Sequence, residues 1–401
     1  MKIVQINSCY GVGSTGKIAE GISKILTENN VENYIFYATG KSAENAFKME
    51  SKLYMKFNIL KTRLFGKHGF YSQFATLKML KKLDRINPDV IHLHNIHGHY
   101  VNIKMLFNYI KKNNIKVVWT LHDCWAFTGH CAHFDYSGCN KWKTGCNNCA
   151  SLKDYPVSWF FDRSKSSYND KKKLFTGVKD LTIVTPSEWL GNLVRQSFLK
   201  DYPVKVINNG IDLESFKPTD SDFRKQNKLE DKFVIMGIAF DIVGKKGGKY
   251  LVEISKRLKN CYVVIVGLGK NENLPQNVIT IPRTNSKEEL AKIYSMADVF
   301  VNPTLEDTFP TVNLEALACG TPIVTFDTGG SPESVCENVG YVAEKYNLDD
   351  LIEKILKIKN NTKETYKENC INKATKFYNE SEKFKEYFLV YNKKLDERNL
   401  V

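Results

Sequence analysis

The sequence predicts an α/β fold of two Rossmann-like domains, each a doubly wound parallel sheet, and three observations carry that expectation. The chain has 401 residues, too many for one ordinary core and enough for two domains of about 150–200 residues each. Two separate series of short apolar, β-branched runs lie along it, each run followed by a turn and a stretch of helical period, the pattern of βα units on a parallel sheet. Between the two series, Val204–Pro218 is rich in turn residues and leads into a polar, charged segment to about Lys232.

The first series is Lys2–Ile6, Asn33–Tyr37, Val90–Leu93, Lys116–Leu121 and Leu181–Thr185; the second is Phe233–Ile238, Tyr262–Gly267, Val278–Ile281, Val299–Asn302 and Pro322–Phe326. They predict a first domain at 1–205, with a cysteine-rich insertion at about 124–150, and a second at 206–375. A closing helix at 376–401 is expected to pack back on the first domain. In open sheets of this kind ligands gather beyond the carboxyl ends of the strands, so the loops that follow strands are where chemistry is sought.

The balance of 42% hydrophobic and 25% charged residues is that of a soluble globular protein. No apolar run approaches the roughly 18 residues that span a bilayer, and the opening Met-Lys-Ile-Val-Gln-Ile reads as a buried strand rather than a signal sequence, so a cytoplasmic location is expected. Ten cysteines are then expected to be thiols or metal ligands rather than disulfides. A formal charge of +14 favours a polyanionic partner: nucleotide phosphates, nucleic acid or anionic lipid.

The most informative stretch is Asn302-Pro-Thr-Leu-Glu-Asp-Thr-Phe-Pro-Thr-Val-Asn-Leu-Glu-Ala-Leu-Ala-Cys-Gly-Thr-Pro-Ile-Val. It leaves a strand, crosses a polar loop and opens a helix whose first amides can hold an anion. Asp307 and Glu315 stand eight positions apart, one in the loop and one on the helix, and can reach opposite ends of one ligand. Either acid alone also fits a helix cap or a solvated surface. Upstream, Gly237-Ile-Ala-Phe-Asp-Ile-Val-Gly-Lys-Lys-Gly-Gly-Lys puts Lys245 and Lys246 in a glycine-rich turn after a strand, where fixed cations can stabilise a leaving diphosphate. In the first half, Gly11-Val-Gly-Ser-Thr-Gly-Lys opens the first helix with glycines that let a backbone approach a ligand. His92-Leu-His-Asn-Ile-His-Gly-His and Trp119-Thr-Leu-His-Asp-Cys-Trp both begin at strand ends and hold five of the eight histidines, which points to a site there.

The acid-x7-acid string with its Glu-Ala-Leu-Ala-x-Gly-x-Pro-Ile-Val continuation resembles the signature of retaining glycosyltransferases of family 4, which have the GT-B fold. Gly-Ser-Thr-Gly-Lys-Ile, Gly69-Phe-Tyr-Ser, Leu-His-Asn-Ile-His-Gly and Leu-His-Asp-Cys-Trp-Ala-Phe-Thr-Gly look like the branch found in bacterial capsule and exopolysaccharide assembly, colanic-acid-type enzymes included. The resemblance runs from residue 1 to about 340. It implies a nucleoside-diphosphate sugar donor held in an interdomain cleft, a glycan acceptor, retention of anomeric configuration and no catalytic metal. By it, Asp307 faces the donor sugar, Glu315 the ribose, and the amides of Thr311 and Val312 the diphosphate. Lys246 is the family's lysine, and Lys245 stands where an arginine with a bidentate fork is common. Asp307 replaces the usual glutamate, with Glu306 beside it as a substitute. Gly13 is implied at the diphosphate, His122 beside the donor sugar, and His94, Asn95 and His97 on the acceptor side. With no carboxylate pair arranged as in a double-displacement glycosidase, front-face departure and attack is expected, the leaving phosphate taking the acceptor proton. A non-catalytic sugar-nucleotide binder would present the same residues. A basic nucleic-acid-binding protein is the more distant alternative and leaves the acid-x7-acid string unexplained.

Residues 41–85 carry eleven Lys/Arg against three Asp/Glu, interleaved with Phe47, Tyr54, Phe57, Phe65, Phe70, Tyr71 and Phe74. Such a segment suits peripheral docking on an anionic membrane and hence a lipid-linked acceptor, although a solvated face with aromatics packed inward has the same composition. Finally, Cys131, Cys139, Cys146 and Cys149 fall within 19 residues and end in C-x2-C, a set that can converge tetrahedrally on structural zinc, with Cys124 as a fifth candidate. Free thiols, a redox pair and an iron–sulfur cluster are the alternatives.

Overall fold

The computed structural model describes residues 1–269, 274–284 and 286–392. Among them, seven strands form one sheet: β1 (Lys2–Tyr10), β2 (Glu32–Gly40), β3 (Ala46–Lys48), β4 (Val90–Leu93), β5 (Lys116–Thr120), β6 (Leu181–Thr185) and β7 (Val204–Val206), in the order β3-β2-β1-β4-β5-β6-β7. Six form the other: β8 (Phe233–Ile238), β9 (Cys261–Val266), β10 (Val278–Ile281), β11 (Val299–Asn302), β12 (Ile323–Phe326) and β13 (Gly340–Ala343), in the order β10-β9-β8-β11-β12-β13. All pairings are parallel, with helices between most successive strands, so each sheet belongs to a Rossmann-like domain, as the sequence predicts. Packing divides the chain into one unit of Met1–Asn208 with the segment from Phe384, and a second of Asn209–Lys383.

Each of the ten expected runs coincides with a strand. The three further strands, β3, β7 and β13, are all at sheet edges. An edge strand is bonded on one side only and can be short and mixed in composition, which is why neither periodicity nor an apolar run marks it. β7 lies in the stretch expected to be a linker; Val204 pairs with Ile183 and Val206 with Thr185, so the first sheet extends into it.

In the first unit, the helix Gly13–Glu28 turns Ile18, Ile22, Ile25 and Leu26 onto Ile3, Val90, Val118 and Val184. Burying each such side chain contributes about 1.5–3 kcal/mol. Phe384, Tyr387, Val390 and Tyr391 of the helix Glu380–Asn392 join the same cluster. A Cβ on Gly21 would come within 2.2 Å of the Phe384 ring, so the missing side chain sets how closely the two helices approach. This last helix is separate from the preceding one, Glu364–Tyr378: the chain breaks at Asn379, which bridges to Ile211. The residues from 393 on lie outside the described ones.

Both sheets reverse their strand order once, between β1 and β4 in the first and between β8 and β11 in the second. At such a reversal the connecting helices leave on opposite faces, and a crevice opens beyond the strand ends.

Candidate active site

At the reversal in the second unit, the turn after β8 meets the loop after β11. Leu305 N donates to Lys245 O at 2.8 Å, and Gly247, at φ +78°, lies so close to Pro303 O that a Cβ would sit 2.1 Å from it. This docking aligns two ion pairs. Lys245 Nζ stands 3.0 Å from a carboxylate oxygen of Glu306, and Lys246 Nζ 2.7 Å from Asp307 Oδ2. Asp307 Oδ1 also accepts from Phe309 N at 3.2 Å, and its carbonyl leaves room only for a glycine at 329, where a Cβ would come within 1.8 Å. Glu306 is buried, whereas the Lys246 side chain is half exposed.

The helix Thr311–Ala318 opens behind Pro310 with no side-chain cap and no acid in its first turn, and Thr311 and Val312 are only partly buried. Its first amides are therefore available to an anion. One turn on, Glu315 accepts from Tyr294 O–H at 2.9 Å, a contact that holds the carboxylate in place and, after burial, raises the Tyr294 phenol well above its ordinary range. Asn302, Asn313 and Ser334 form a buried chain, 2.8 and 2.9 Å, that fixes the helix to the end of β11. Lys245, Lys246, Glu306 and Asp307 are thus brought together, while Glu315 sits on the helix beyond them. The Lys–acid pairing itself was not legible, because nothing in sequence separation predicts which lysine faces which acid.

At the reversal in the first unit, the loop after β1 carries Gly11 and Gly13 at φ +67° and +66°; Gly13 is exposed, and a Cβ on it would meet nothing within 4 Å. Asn7 Oδ1 accepts from Ser8 N and Asn95 N, joining the ends of β1 and β4. His94 Nδ1 contacts His122 Nε2 at 3.1 Å, and the two rings stack with centroids 5.4 Å apart. Burial lowers His122 to about 4 and His94 well below its ordinary value, so both are neutral at pH 7. His97 turns elsewhere: its Nε2 meets Asp123 Oδ2 at 2.7 Å and its Nδ1 the Tyr155 hydroxyl at 3.1 Å. Burial alone would raise Asp123, but the charge and hydrogen bond of His97 outweigh it and hold the acid at about 2.

His94, His122 and Asn95 therefore share one locus, and His97 with Asp123 forms a second beside it. Sequence reasoning missed Gln5, and it marked His92 and Asp123 only as members of their strand-end strings, without a role of their own. Gln5 was detectable as a polar residue inside an apolar strand, and His92 shares a sheet face with His94 by the two-residue period.

Cys131, Cys139, Cys146 and Cys149 line a single small pocket together with His130, Phe134 and Trp142. All four are free, Cys131 and Cys149 hydrogen-bond to each other, and Cys146 Sγ accepts from Gly129 N at 3.1 Å. Among the described residues no three Cys, His, Asp or Glu side chains stand in positions that could hold a metal ion. Among them, too, no helix is long and apolar enough to cross a membrane.

The sequence profile described as Glycosyltransferase Family 4 matches residues 22–215, and that described as Glycosyl transferases group 1 matches 219–377, so that together they span most of the chain. The chain belongs to these glycosyltransferases. Among its relatives, a glycosyl transferase assigned to colanic acid biosynthesis, WcaC of Escherichia coli K12, is 24% identical over 371 residues, covering 88% of this chain and 90% of the relative. Sucrose-phosphate synthase from Thermosynechococcus elongatus superposes with a TM-score of 0.72 at 16% identity, covering 97% of this chain and 98% of that one. Anabaena Alr3699/HepE in complex with UDP superposes at 0.66 with 14% identity, over 97% and 99%. At such identities the likeness is one of fold, here the GT-B fold of glycosyltransferases.

Proposed function

We propose that this glycosyltransferase moves a sugar from a nucleoside-diphosphate sugar to a lipid-linked glycan acceptor with retention of configuration and without a catalytic metal, in cell-surface polysaccharide biosynthesis. The observation that carries the donor half is the pair of lysine–carboxylate contacts at the reversal of the second sheet, beside an uncapped helix start. A diphosphate entering there replaces the carboxylates on Lys245 and Lys246 and meets the amides of Thr311 and Val312. Asp307, released from Lys246, then accepts hydroxyls of the sugar, and Glu315 those of the ribose. As the glycosidic bond breaks, charge grows on the diphosphate and Lys246 stabilises it more in the transition state than in the ground state. The leaving phosphate takes the acceptor proton. Alr3699/HepE, a protein of the same fold, has been captured with UDP and with UDP-glucose, which supports this class of donor.

A cytoplasmic enzyme docked on the inner face of the membrane fits the surface of the first unit. The helix Lys52–Phe65 exposes Leu53, Phe57, Leu60 and Phe65, and Trp159-Phe-Phe161 is tied to its end by Trp159 N donating to Arg63 O at 2.8 Å. Lys61, Arg63 and Arg163 lie over aromatic rings of the same patch, so cations and apolar groups together suit an anionic lipid interface. Structural zinc in the cysteine-lined pocket belongs to the same reading, the thiols converging from the free positions seen here.

Screening nucleotide sugars for acceptor-dependent release of nucleoside diphosphate is the central test. Turnover insensitive to chelators is expected, and donor binding without any turnover would instead make the chain a binding protein. Vesicle association should require anionic lipid and weaken with salt; equal binding to neutral vesicles removes the docking idea. Metal-free protein with ten titratable thiols and full activity removes the zinc.

A further inference from the structure

Gln5 is fully buried in β1, and its Nε2 donates to Ala19 O at 3.2 Å and to Ser23 Oγ at 2.8 Å. A backbone carbonyl only accepts, so this orientation of the amide is fixed, and Oε1 is the atom that faces His94 Nε2 at 3.0 Å. Oε1 has no proton to give. His94 therefore carries its proton on Nε2 and keeps a lone pair on Nδ1. That Nδ1 stands 3.1 Å from His122 Nε2, and since two bare nitrogens do not hydrogen-bond, the proton in this contact belongs to His122. Burial keeps both rings neutral, so one proton per ring is all there is to place. The stack is braced from behind: His92 lies 4.1 Å from His94 between centroids, with Nε2 at 2.8 Å from Thr120 Oγ1 and Nδ1 at 2.8 Å from the Tyr391 hydroxyl.

We propose that Gln5 and His94 are positioning residues that hold His122 as the Nε2–H tautomer, so that its Nδ1 accepts a hydrogen bond from a hydroxyl of the donor sugar. The tautomer follows from geometry; the hydroxyl rests on the reading above that His122 faces the sugar. His122 then orients the sugar and donates no proton to the reaction.

Long-range ¹H–¹⁵N correlation spectra of the full chain labelled at histidine test the first half, with His122 assigned by its loss in His122→Ala. The expected result at neutral pH is a protonated Nε2 and an unprotonated Nδ1. A proton on Nδ1 overturns the proposal whatever the enzyme does. Two variants of His94 test the coupling, because an asparagine oxygen takes the place of Nδ1 and the end of a glutamine that of Nε2. His94→Asn should keep the His122 tautomer and lose less in kcat than His94→Gln, which should mix the tautomers and lose roughly tenfold to a hundredfold in kcat at nearly constant donor KM. Equal losses in both variants with the tautomer unchanged would make the contact merely structural and end the proposal. The expected tautomer, with full turnover in His122→Ala, would instead overturn the sugar-facing reading and leave the proton assignment standing.

Discussion

The reversal of strand order in the second unit is crossed by two ion pairs, Lys245 with Glu306 and Lys246 with Asp307, while that in the first is crossed by neutral contacts, Gln5 to His94 and Asn7 to Asn95. Lys246 is half exposed and its carboxylate partner can be exchanged for a phosphate; Gln5 and His94 are buried and cannot change partners without moving a strand. The same topology thus offers a place for charge that must come and go and a place for direction that must not change. On the proposed reading the diphosphate belongs to the first kind of site and the sugar hydroxyls to the second.

The largest expected effects break that division if it is wrong. Lys246→Ala and Asp307→Ala should each lower turnover roughly a hundredfold to a thousandfold with the fold intact, Lys246→Ala acting more on kcat than on donor affinity. His122→Ala should also cost orders of magnitude, but the parental fall of donor affinity with salt should persist in it and shrink in Lys246→Ala. Steady-state kinetics across ionic strength measure both. Near-normal turnover in Lys246→Ala removes the charged site, and an unchanged salt slope removes the division of labour.

Strand interiors were legible because a central parallel strand is apolar on both faces, as in Phe233–Ile238 and Cys261–Val266, whereas β3, β7 and β13 need satisfy only one neighbour and carry no such pattern. For the candidate site, sequence put Lys245, Lys246, Asp307 and Glu315 on the right loops and helix, since strand–loop–helix order is local. It did not pair them, and it did not reveal the His97–Asp123 contact or the brace from Tyr391 to His92, because those depend on chain segments up to 299 positions apart.

A second contrast is sharper in acid. All eight histidines lie in the first unit, and burial lowers His92 to about 3, His99, His122 and His130 to about 4, and His68 and His94 well below the ordinary value. Each has a folded pKa below its unfolded one, so between about pH 6.5 and 4 the unfolded chain binds protons that the folded unit refuses, and stability is lost as pH falls through that window. In the second unit, Asp212 is raised by burial but held at about 2 by hydrogen bonds from Lys287 and Ser215, and its contribution is lost only below about pH 4. All five tryptophans are also in the first unit. The tryptophan-monitored melting temperature should therefore fall between pH 6.5 and 4 by an amount worth several kcal/mol, while hydrogen exchange along β8–β12 changes little. Parallel loss in both units would show that the histidines do not set the acid response.

The smallest effect concerns the brace itself. Tyr391→Phe keeps the ring that packs on Phe388 and Tyr387 and removes only the hydroxyl that hydrogen-bonds to His92 Nδ1. A buried ring nitrogen is left without that partner, which costs about 1–3 kcal/mol, more than the bond's net worth because water does not replace it. The loss should appear in denaturant unfolding followed by tryptophan fluorescence, and His92→Phe in the same background should recover part of it, since removing both polar partners leaves nothing unsatisfied between them. If Tyr391→Phe leaves the midpoint unchanged, the last helix is held by its apolar contacts alone, and the first unit's histidine stack needs no support from the end of the chain.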